Sequence, residues 1–343
     1  MRFIVYGTGA VGGTIAARLS HAGLPVVCIA RGEHLREMRK NGLILHTPEQ
    51  VITAHPDLVE HPRDIQFTDE DIVLLCMKSQ HTEAALQDLH SVAGNDVPVV
   101  CVQNGVVNER LTSMLFSRVY ACVVVVPALY QQPGVVACHA SGRSGILDIG
   151  WYSCTTQDKA DPILDSLTKA LERAGFGSRA TPDIMAWKYA KLTTNLGNII
   201  QAAVKRPSTN DEVDRQSWRD ASRGLSTQLH SEARACFAAA GIDCLTQEDI
   251  NARCEEEAVN MRANIAGIDR IGGSTLQSML RGTGNIETDH LNGEIVILGK
   301  RYNIPTPANA VMQNIGREMM EKKLDIGHYS IEEILQRIES PQL

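Results

Sequence analysis

A short apolar run at the N terminus is followed at once by three glycines in a fixed spacing. Residues 2–6 read Arg-Phe-Ile-Val-Tyr, and a helical stretch follows the glycines. A strand, a tight turn and a helix in this order place backbone N–H groups and a positive helix end where a pyrophosphate can bind. The predicted cofactor-binding residues are Gly7, Thr8, Gly9, Ala10, Val11 and Gly12. The alternative is an ordinary glycine-rich turn, because the glycine spacing alone is a weak signal.

The residue after the second predicted strand bears on which dinucleotide binds. Arg31 stands where an NAD site usually carries an acidic residue for the ribose 2′-hydroxyl. Its charge and its fork of donors suit a 2′-phosphate instead. The sequence therefore favours NADPH/NADP+ as cofactor. Two alternatives stay open: Glu33 could still reach a ribose, and Arg31 could be a solvated loop residue.

Composition limits the partners and the compartment. The chain has 343 residues, enough for two domains, and its net charge of −7 argues against nucleic acid or an anionic membrane as main partner. The longest apolar stretch, residues 121–129, is too short to span a bilayer. The first strand begins at residue 2, a pattern that does not fit a signal peptide. We expect a cytoplasmic protein.

Cysteine and histidine spacing points to no metal site. The nine cysteines are odd in number and form no Cys-x-x-Cys pattern, and the eleven histidines form no His-x-x-x-His pair. Free thiols in a reducing compartment are the simplest interpretation of these cysteines. We therefore predict no metal.

The first half of the chain alternates apolar runs with polar helical stretches, which is typical of an α/β domain. Continuous Val, Ile and Leu runs indicate a sheet covered on both faces, and they occur at residues 72–77, 97–102 and 120–126. We also predict a hairpin of 43–45 with 51–53, and an antiparallel pair of 135–138 with 145–149. The predicted fold is a doubly wound Rossmann-type domain over residues 1–180.

The second half has helical periodicity and predicts an all-helical domain over residues 181–343. Thr181, Pro182 and Asp183 indicate a helix start, from which the pattern continues for about 24 residues toward Arg206. Later helices are predicted at residues 211–240, 246–264, 286–302 and 308–324 and from Ser330 onward.

The helix after Pro182 has two adjoining stripes. One is apolar and predicted to be buried: Leu192, Leu196, Ile199 and Ala203. The other lies about 100° around the helix, and its members are Trp187, Lys191, Asn195 and Asn198. An ammonium and two amides beside a buried edge fit the lip of a cleft between domains. The alternative is a solvated helix face.

A second polar segment runs from Ser274 to Gly293. Glu287 is predicted in the first turn of a helix, where a carboxylate is favoured whatever its function. Asp289 and Asn292 could equally be capping or solvated groups.

These motifs occur together in a recognisable order. They are Gly7-x-Gly9-x-x-Gly12, Arg31, Met77-Lys78, Gln103-Asn104-Gly105, Trp187-x-x-x-Lys191-Leu192-x-x-Asn195, Ser274 and Glu287-x-Asp289-x-x-Asn292-Gly293. The set resembles the ketopantoate reductase family, the NADPH-dependent 2-dehydropantoate 2-reductases of pantothenate synthesis. The resemblance covers nearly the whole chain. It implies an N-terminal Rossmann domain and a C-terminal helical domain, with substrate bound between them.

The resemblance also implies roles for individual residues. Lys191 would be the catalytic lysine and Glu287 its acidic partner, close to the cofactor. The implied substrate-binding residues are Asn195, Asn198, Ser274 and Asn104, of which Asn104 also lies near the nicotinamide. Arg31 and Lys78 would bind the cofactor phosphates. The chemistry is coherent, because an ammonium beside a ketone oxygen can stabilise the developing alkoxide and supply its proton.

Three departures from the family pattern lie on the substrate side. Ile199 and Ile271 stand where the family often has asparagines, and one extra residue separates Ser274 from Glu287. Reduction of a small 2-oxo acid is therefore better supported than the choice of ketopantoate. The alternatives are a paralogue for another 2-oxo acid or an opine-type substrate, and a non-catalytic NADP(H)-binding protein. The amphipathic C-terminal helices are also compatible with a homodimer.

Overall fold

The computed structural model describes residues 1–152, 161–207, 212–282 and 286–340. The chain divides into two compact units. Unit 1 comprises residues 1–188 and 246–270, and unit 2 comprises residues 189–245 and 271–343. The second unit is thus not one continuous stretch of chain. The cofactor role predicted for 1–180 and the substrate role predicted for 181–343 stay predictions.

The strands of the described residues all lie in the first 152 residues. They are β1 (Arg2–Tyr6), β2 (Val26–Ile29), β3 (Leu43–His46), β4 (Val51–Ala54), β5 (Asp57–Val59), β6 (Asp71–Leu75), β7 (Val99–Cys101), β8 (Val119–Val125), β9 (Ala128–Gln132), β10 (Val135–Cys138) and β11 (Ile146–Trp151).

The helices extend over both units. They are α1 (Ala10–His21), α2 (Gly32–Asn41), α3 (Thr82–Ala93), α4 (Val107–Ser113), α5 (Pro162–Arg173), α6 (Ile184–Asn195), α7 (Asn198–Ala203), α8 (Glu212–Ala240), α9 (Gln247–Glu256), α10 (Ser274–Leu280), α11 (Asn292–Tyr302), α12 (Pro307–Glu321) and α13 (Ile331–Glu339). Within the ranges described, no helix has both the length and the apolar character needed to cross a membrane.

Unit 1 is built on a sheet with the order β11-β8-β7-β6-β1-β2-β5 among the described strands. Neighbours from β5 to β8 run parallel, and β11 is antiparallel to β8 at one edge. The parallel part has the order of a doubly wound dinucleotide-binding fold, which confirms the predicted Rossmann-type domain. The order reverses between β1 and β6, so the loops that follow these strands flank the crevice where such folds bind ligands.

A second sheet, in the order β4-β3-β10-β9, covers α1 on its other side. The β3–β4 hairpin is confirmed. The predicted pairing of 135–138 with 145–149 is wrong, because β10 pairs with β3 and β9 while β11 pairs with β8. The reason lies in α1, whose residues are buried on almost every side and therefore need a second apolar cover. Gly13 allows that cover to approach, since a Cβ there would lie 3.0 Å from Val136.

The segment 246–270 returns to unit 1 and packs on β11. The buried guanidinium of Arg253 binds the buried carboxylate of Asp148 through two hydrogen bonds of 2.8 and 2.9 Å. Thr246 caps α9 as predicted, but the helix ends at Glu256 instead of continuing to residue 264. The chain leaves the helix there because residues 260 and 263 form backbone hydrogen bonds with Ser141 and His139.

Unit 2 is helical, as predicted, but the single helix expected from 181 to about 206 is wrong. Helix α6 begins only at Ile184, and the chain breaks between α6 and α7 at residues 196–197. The break is stable because Asn292 donates a 3.3 Å hydrogen bond to the Leu196 carbonyl, which is left without its helical partner. The predicted apolar stripe is nevertheless buried, with Leu192, Leu196, Ile199 and Ala203 at most 1% exposed.

Candidate functional site

The turn after β1 can be built only from glycine at two positions. Gly7 has φ +96°, and a Cβ there would lie 2.8 Å from the backbone nitrogen of Met77. A Cβ on Gly12 would lie 2.1 Å from the carbonyl oxygen of Gly7. These contacts are with backbone, so neither position tolerates a side chain. The first and third glycines thus bring β1, α1 and the loop after β6 into close contact.

The middle glycine faces open space. No heavy atom lies within 4 Å of a Cβ built on Gly9. Gly9 also caps α1, whose first turn contains no acidic residue. The positive end of the helix is therefore accessible at the position where a phosphate needs to approach the backbone closely.

A cavity of about 430 Å³ opens beside this turn. Its lining includes Tyr6, Thr8, Gly9, Arg31, His34, Met77, His81, Asp88 and Tyr130. The Tyr6 hydroxyl and the Thr8 Oγ1 are buried and have no hydrogen-bond partner among the described residues. Buried polar atoms are normally paired, so these two are candidates to bind a ligand. The open glycine and the two hydroxyls fit the phosphates and ribose of a dinucleotide.

Arg31 lies in this cavity with its side chain 59% exposed. Its guanidinium is 3.6 Å from the carboxylate of Asp88, which in turn lies 3.2 Å from Nε2 of His61. The structure thus places the predicted arginine where the second strand ends. Asp88 and His61 were not predicted from the sequence, because they belong to no motif and approach Arg31 through the packing of α3.

His34 links the glycine turn to the second sheet. Its Nδ1 accepts a 2.9 Å hydrogen bond from the backbone N–H of Gly134, so Nε2 carries the proton and donates to the Thr8 carbonyl at 2.8 Å. Burial lowers the pKa of His34, which favours this neutral form. Nothing in the sequence indicated this contact, because Gly134 lies 100 residues away along the chain.

The loops after β6 and β7 lie side by side in unit 1. The Gln103 side chain donates to the Met77 carbonyl at 2.9 Å, and Asn108 donates to the Asn104 carbonyl at 3.2 Å. Lys78, next to Met77, is half-buried. The structure therefore brings together the two loops that carry the predicted cofactor residues Lys78 and Asn104.

The other predicted site residues lie in unit 2. Lys191 and Asn195 are one turn apart on α6, and Asn195 is 6% exposed while Lys191 is half-buried. Asn198, the first residue of α7, approaches the hydroxyl of Ser274 within 3.5 Å. The structure thus places Asn198 beside Ser274. Ile199 is 1% exposed and belongs to the core, so it offers no polar group at this position.

The acidic motif begins before helix α11, and its two carboxylates differ in burial. Glu287 is 8% exposed, and the backbone N–H groups of His290 and Leu291 donate to its carbonyl. Because these turns precede α11, the predicted location of Glu287 in a first helical turn is wrong. The Asp289 carboxylate accepts hydrogen bonds of 2.7 Å from Gln313 and Arg317. Asn292 is buried, and its side chain donates to the Leu196 carbonyl. Glu287 is thus the motif carboxylate with a buried position.

The described residues give no sign of cysteine chemistry or of a metal centre at this site. Eight cysteines in the described ranges are free, and six of them are buried. Burial raises the pKa of thiols such as Cys28 and Cys101, which makes them poor nucleophiles. Among the residues that the structure describes, no group of three His, Cys, Asp or Glu side chains could hold a metal ion.

Two family models match the chain in sequence order. The model described as "Ketopantoate reductase PanE/ApbA" matches residues 3–152, and "Ketopantoate reductase PanE/ApbA C terminal" matches residues 183–320. The first match covers both sheets of unit 1. The second covers α6 to α11 and nearly all of α12, and α6 carries both Lys191 and Asn195.

Individual relatives are similar over nearly their whole length. The chain is 26% identical to a 2-dehydropantoate 2-reductase from Pyrococcus horikoshii, over 91% of this chain and 95% of the relative. A solved PanE/ApbA family ketopantoate reductase from Ralstonia eutropha JMP134 is 27% identical, with a TM-score of 0.73 over 94% and 99% of the two chains. D-mandelate dehydrogenase, solved with NADH and anilino(oxo)acetate, shares the fold at 20% identity, a TM-score of 0.73 and the same coverage. With both family models matched in order, the chain belongs to the ketopantoate reductase family of oxidoreductases.

Proposed function

We propose that this protein is an NADPH-dependent 2-dehydropantoate 2-reductase, which reduces ketopantoate to pantoate. The observation that carries the proposal is the cavity beside the glycine turn, which combines an open Gly9, two unpartnered hydroxyls and Arg31. Relatives named 2-dehydropantoate 2-reductase support the reaction, since they align with nine-tenths or more of this chain.

The cofactor would be held by groups of unit 1. The N–H groups of Ala10, Val11 and Gly12 would bind the pyrophosphate at the start of α1. Arg31 would pair with the 2′-phosphate, a contact that NADH cannot make. Lys78 would add positive charge near the phosphates, and Asn104 would lie at the nicotinamide. When bound, the reduced nicotinamide supplies a hydride to the ketone carbon of the substrate.

Lys191 would act as the general acid. An ammonium hydrogen-bonded to the ketone oxygen stabilises the negative charge that develops there and then donates a proton to it. Glu287 would orient that ammonium or accept a hydrogen bond from the new hydroxyl. Its burial supports such a role, because a carboxylate acts more strongly on a neighbouring cation away from water.

Neutral side chains would bind the rest of the substrate. Asn195, Asn198, Ser274 and Asn104 carry amide or hydroxyl donors that suit a carboxylate and a hydroxyl group. Asn198 and Ser274 already approach each other within 3.5 Å in unit 2. The proposal also places the enzyme in the cytoplasm, where free thiols and NADPH are maintained.

A second candidate is a dehydrogenase of another 2-oxo acid or an opine-type substrate. The buried Ile199 favours it, because this residue removes an amide that the family often offers near the substrate. A smaller or more apolar 2-oxo acid would need fewer hydrogen bonds at that position.

The test is turnover by the purified protein. NADPH oxidation is followed with ketopantoate and with a panel of other 2-oxo acids, each with and without amino acids, and the substrates are ranked by kcat/KM. Ketopantoate is expected to rank first, and Lys191→Ala to lower kcat by about 100-fold or more. A higher rank for another acid would favour the second candidate. Tight NADPH binding without turnover of any acid would instead indicate a non-catalytic binding protein.

A further inference from the structure

A buried ion pair in unit 1 takes no part in the mechanism proposed above. Lys188 of α6 pairs with Glu109 of α4, and their side chains are 2% and 0% exposed. Burial raises the pKa of Glu109, and the ammonium beside it acts in the opposite direction. Moving two charges out of water is so costly that apolar side chains of similar size often stabilise a fold equally well. Stability alone is therefore a weak reason for this pair.

The ammonium of Lys188 also holds a backbone atom. Its Nζ donates a 2.9 Å buried hydrogen bond to the carbonyl oxygen of Gln103, which lies 85 residues away in the sequence and directly precedes Asn104. An apolar residue at 188 could fill the same volume but could not bind this carbonyl. The pair thus has a directional contact with the loop that follows β7.

The side chain of Gln103 is held on its other side. Its Nε2 donates to the Met77 carbonyl at 2.9 Å and to Thr82 Oγ1 at 2.7 Å. Met77 lines the cavity beside the glycine turn. Gln103 is consequently fixed between Lys188 and the loop after β6.

Asn108 completes the same network. Its Nδ2 donates to the Asn104 carbonyl at 3.2 Å and to Ser79 Oγ at 3.1 Å, while its Oδ1 accepts from Thr82 at 2.8 Å. Glu109 follows Asn108 directly, so the ion pair and the amide network meet in the first turn of α4. Every backbone atom that these side chains bind belongs to the loops after β6 and β7.

We propose that the Lys188–Glu109 ion pair is a positioning device for the loop 103–105, which it holds so that Asn104 sits correctly at the nicotinamide. This inference rests on the proposed function for the role of Asn104. Lys188 and Glu109 act through Gln103 and Asn108 and contact neither cofactor nor substrate. Misplacing a positioned group by about 1 Å can lower a rate by about 100-fold, so the loop needs such an anchor.

The test compares three variants by kcat, melting temperature and ligand affinity. Lys188→Met is expected to lower kcat with ketopantoate by about 10- to 100-fold. It is also expected to weaken NADPH binding while leaving affinity for 2′,5′-ADP unchanged, because that fragment needs only the Arg31 end of the cavity. The double variant Lys188→Met/Glu109→Leu regains melting temperature, since no charge stays buried alone, but kcat stays low.

Arg253→Met provides the matched control. It breaks another buried ion pair of unit 1, with Asp148, whose two members bind Arg179 and Glu257 instead of the loops after β6 and β7. It is expected to lose melting temperature to a similar extent and to keep kcat. The positioning role is overturned if this control loses as much kcat as Lys188→Met, if the double variant regains kcat together with its melting temperature, or if Lys188→Met weakens NADPH and 2′,5′-ADP equally.

A failure of the positioning role can be distinguished from a failure of the proposed function. If the wild-type protein reduces no 2-oxo acid, the proposed reaction fails, and the loop is then tested by binding and by amide hydrogen exchange at residues 103–106. Faster exchange in Lys188→Met, with a selective loss of NADPH affinity over 2′,5′-ADP affinity, supports the positioning role. Unchanged exchange and unchanged binding overturn it.

Discussion

The Thr8 carbonyl accepts a 2.8 Å hydrogen bond from Nε2 of His34, so the glycine turn is tied to α2 by a neutral imidazole. The same ring accepts from the Gly134 N–H through Nδ1. A proton on Nδ1 would remove that second bond, because the imidazolium has no acceptor. One side chain therefore joins the first strand's turn to the second sheet only while it is uncharged.

This arrangement predicts that acid weakens the fold. Burial lowers the pKa of His34 below its ordinary value, so the unfolded chain takes up a proton that the folded chain resists. The contribution of His34 to the free energy of unfolding should be fully present above about pH 6.5. It should fall as the pH drops below that value, by about 1 kcal/mol for one hydrogen bond. Urea unfolding from pH 8 to pH 5 measures the effect.

His34→Gln isolates this contribution, because glutamine can donate and accept but does not titrate. His139 and His230 also have pKa values lowered by burial and act in the same direction in both proteins. The difference between wild type and variant should therefore shrink toward pH 5. A difference that is constant across this range would contradict the assignment.

Gly9 and Gly12 should respond differently to alanine. A Cβ at Gly12 meets backbone at 2.1 Å, so Gly12→Ala should lower the free energy of unfolding by about 3 kcal/mol. A Cβ at Gly9 meets nothing, so Gly9→Ala should stay within about 1 kcal/mol of wild type. Its methyl group would occupy the place of the pyrophosphate and weaken NADPH binding by about tenfold or more. If Gly9→Ala bound NADPH as tightly as the wild type does, the proposed location of the pyrophosphate at this turn would be wrong.

Arg31→Met should change the choice between the two cofactors. The loss of a charge-assisted contact to the 2′-phosphate is expected to raise KM for NADPH by about 10- to 100-fold and leave KM for NADH nearly unchanged. Steady-state kinetics with both cofactors measures the ratio. Arg36→Met, an exposed position on α2 outside the cavity lining, controls for the loss of one positive charge. Equal effects of Arg31→Met on both cofactors would contradict 2′-phosphate binding.

Glu287 and Asp289 form a natural comparison because they differ in burial within one motif. Glu287→Gln removes the charge of a buried carboxylate and is expected to lower kcat by about 100-fold. Asp289→Asn affects a half-exposed carboxylate bound to Arg317 and should change kcat little. Assays at saturating NADPH and substrate separate the two. Similar losses in both variants would indicate that the motif stabilises the segment before α11 and has no chemical role.

The local features of the fold were predictable from the sequence. The Gly7–Gly12 turn could be predicted because its requirements lie within six residues, and its strand and helix lie immediately beside it. Ser330 caps α13 through the Glu333 N–H for the same reason. The antiparallel partner of β10 was mispredicted because pairing depends on α1, which is buried between two sheets. No residue near β10 in the sequence indicates that α1 is buried in this way.

Parts of the candidate site depend on contacts that are distant in sequence. The apolar stripe that begins on α6 continues through residue 199, so periodicity alone indicates one helix. The break at residues 196–197 depends on Asn292, which lies far along the chain and donates a hydrogen bond to the Leu196 carbonyl. Glu109 and Lys188 belong to different predicted domains, and no neighbouring residue in the sequence indicates that the two side chains pair. The roles of Lys191, Asn195 and Ser274 stay predictions that the assays above test.

The enclosure of α1 by two sheets has a consequence for how a ligand would be received. A phosphate-binding turn attached to a helix that cannot shift is already in its receptive shape before any anion arrives. Association then has little backbone freedom to immobilise, and such preorganisation commonly strengthens affinity without adding a contact. In this chain, the second sheet would thus serve the nucleotide end of the molecule by holding α1 in place, in addition to lining the cavity with Tyr130.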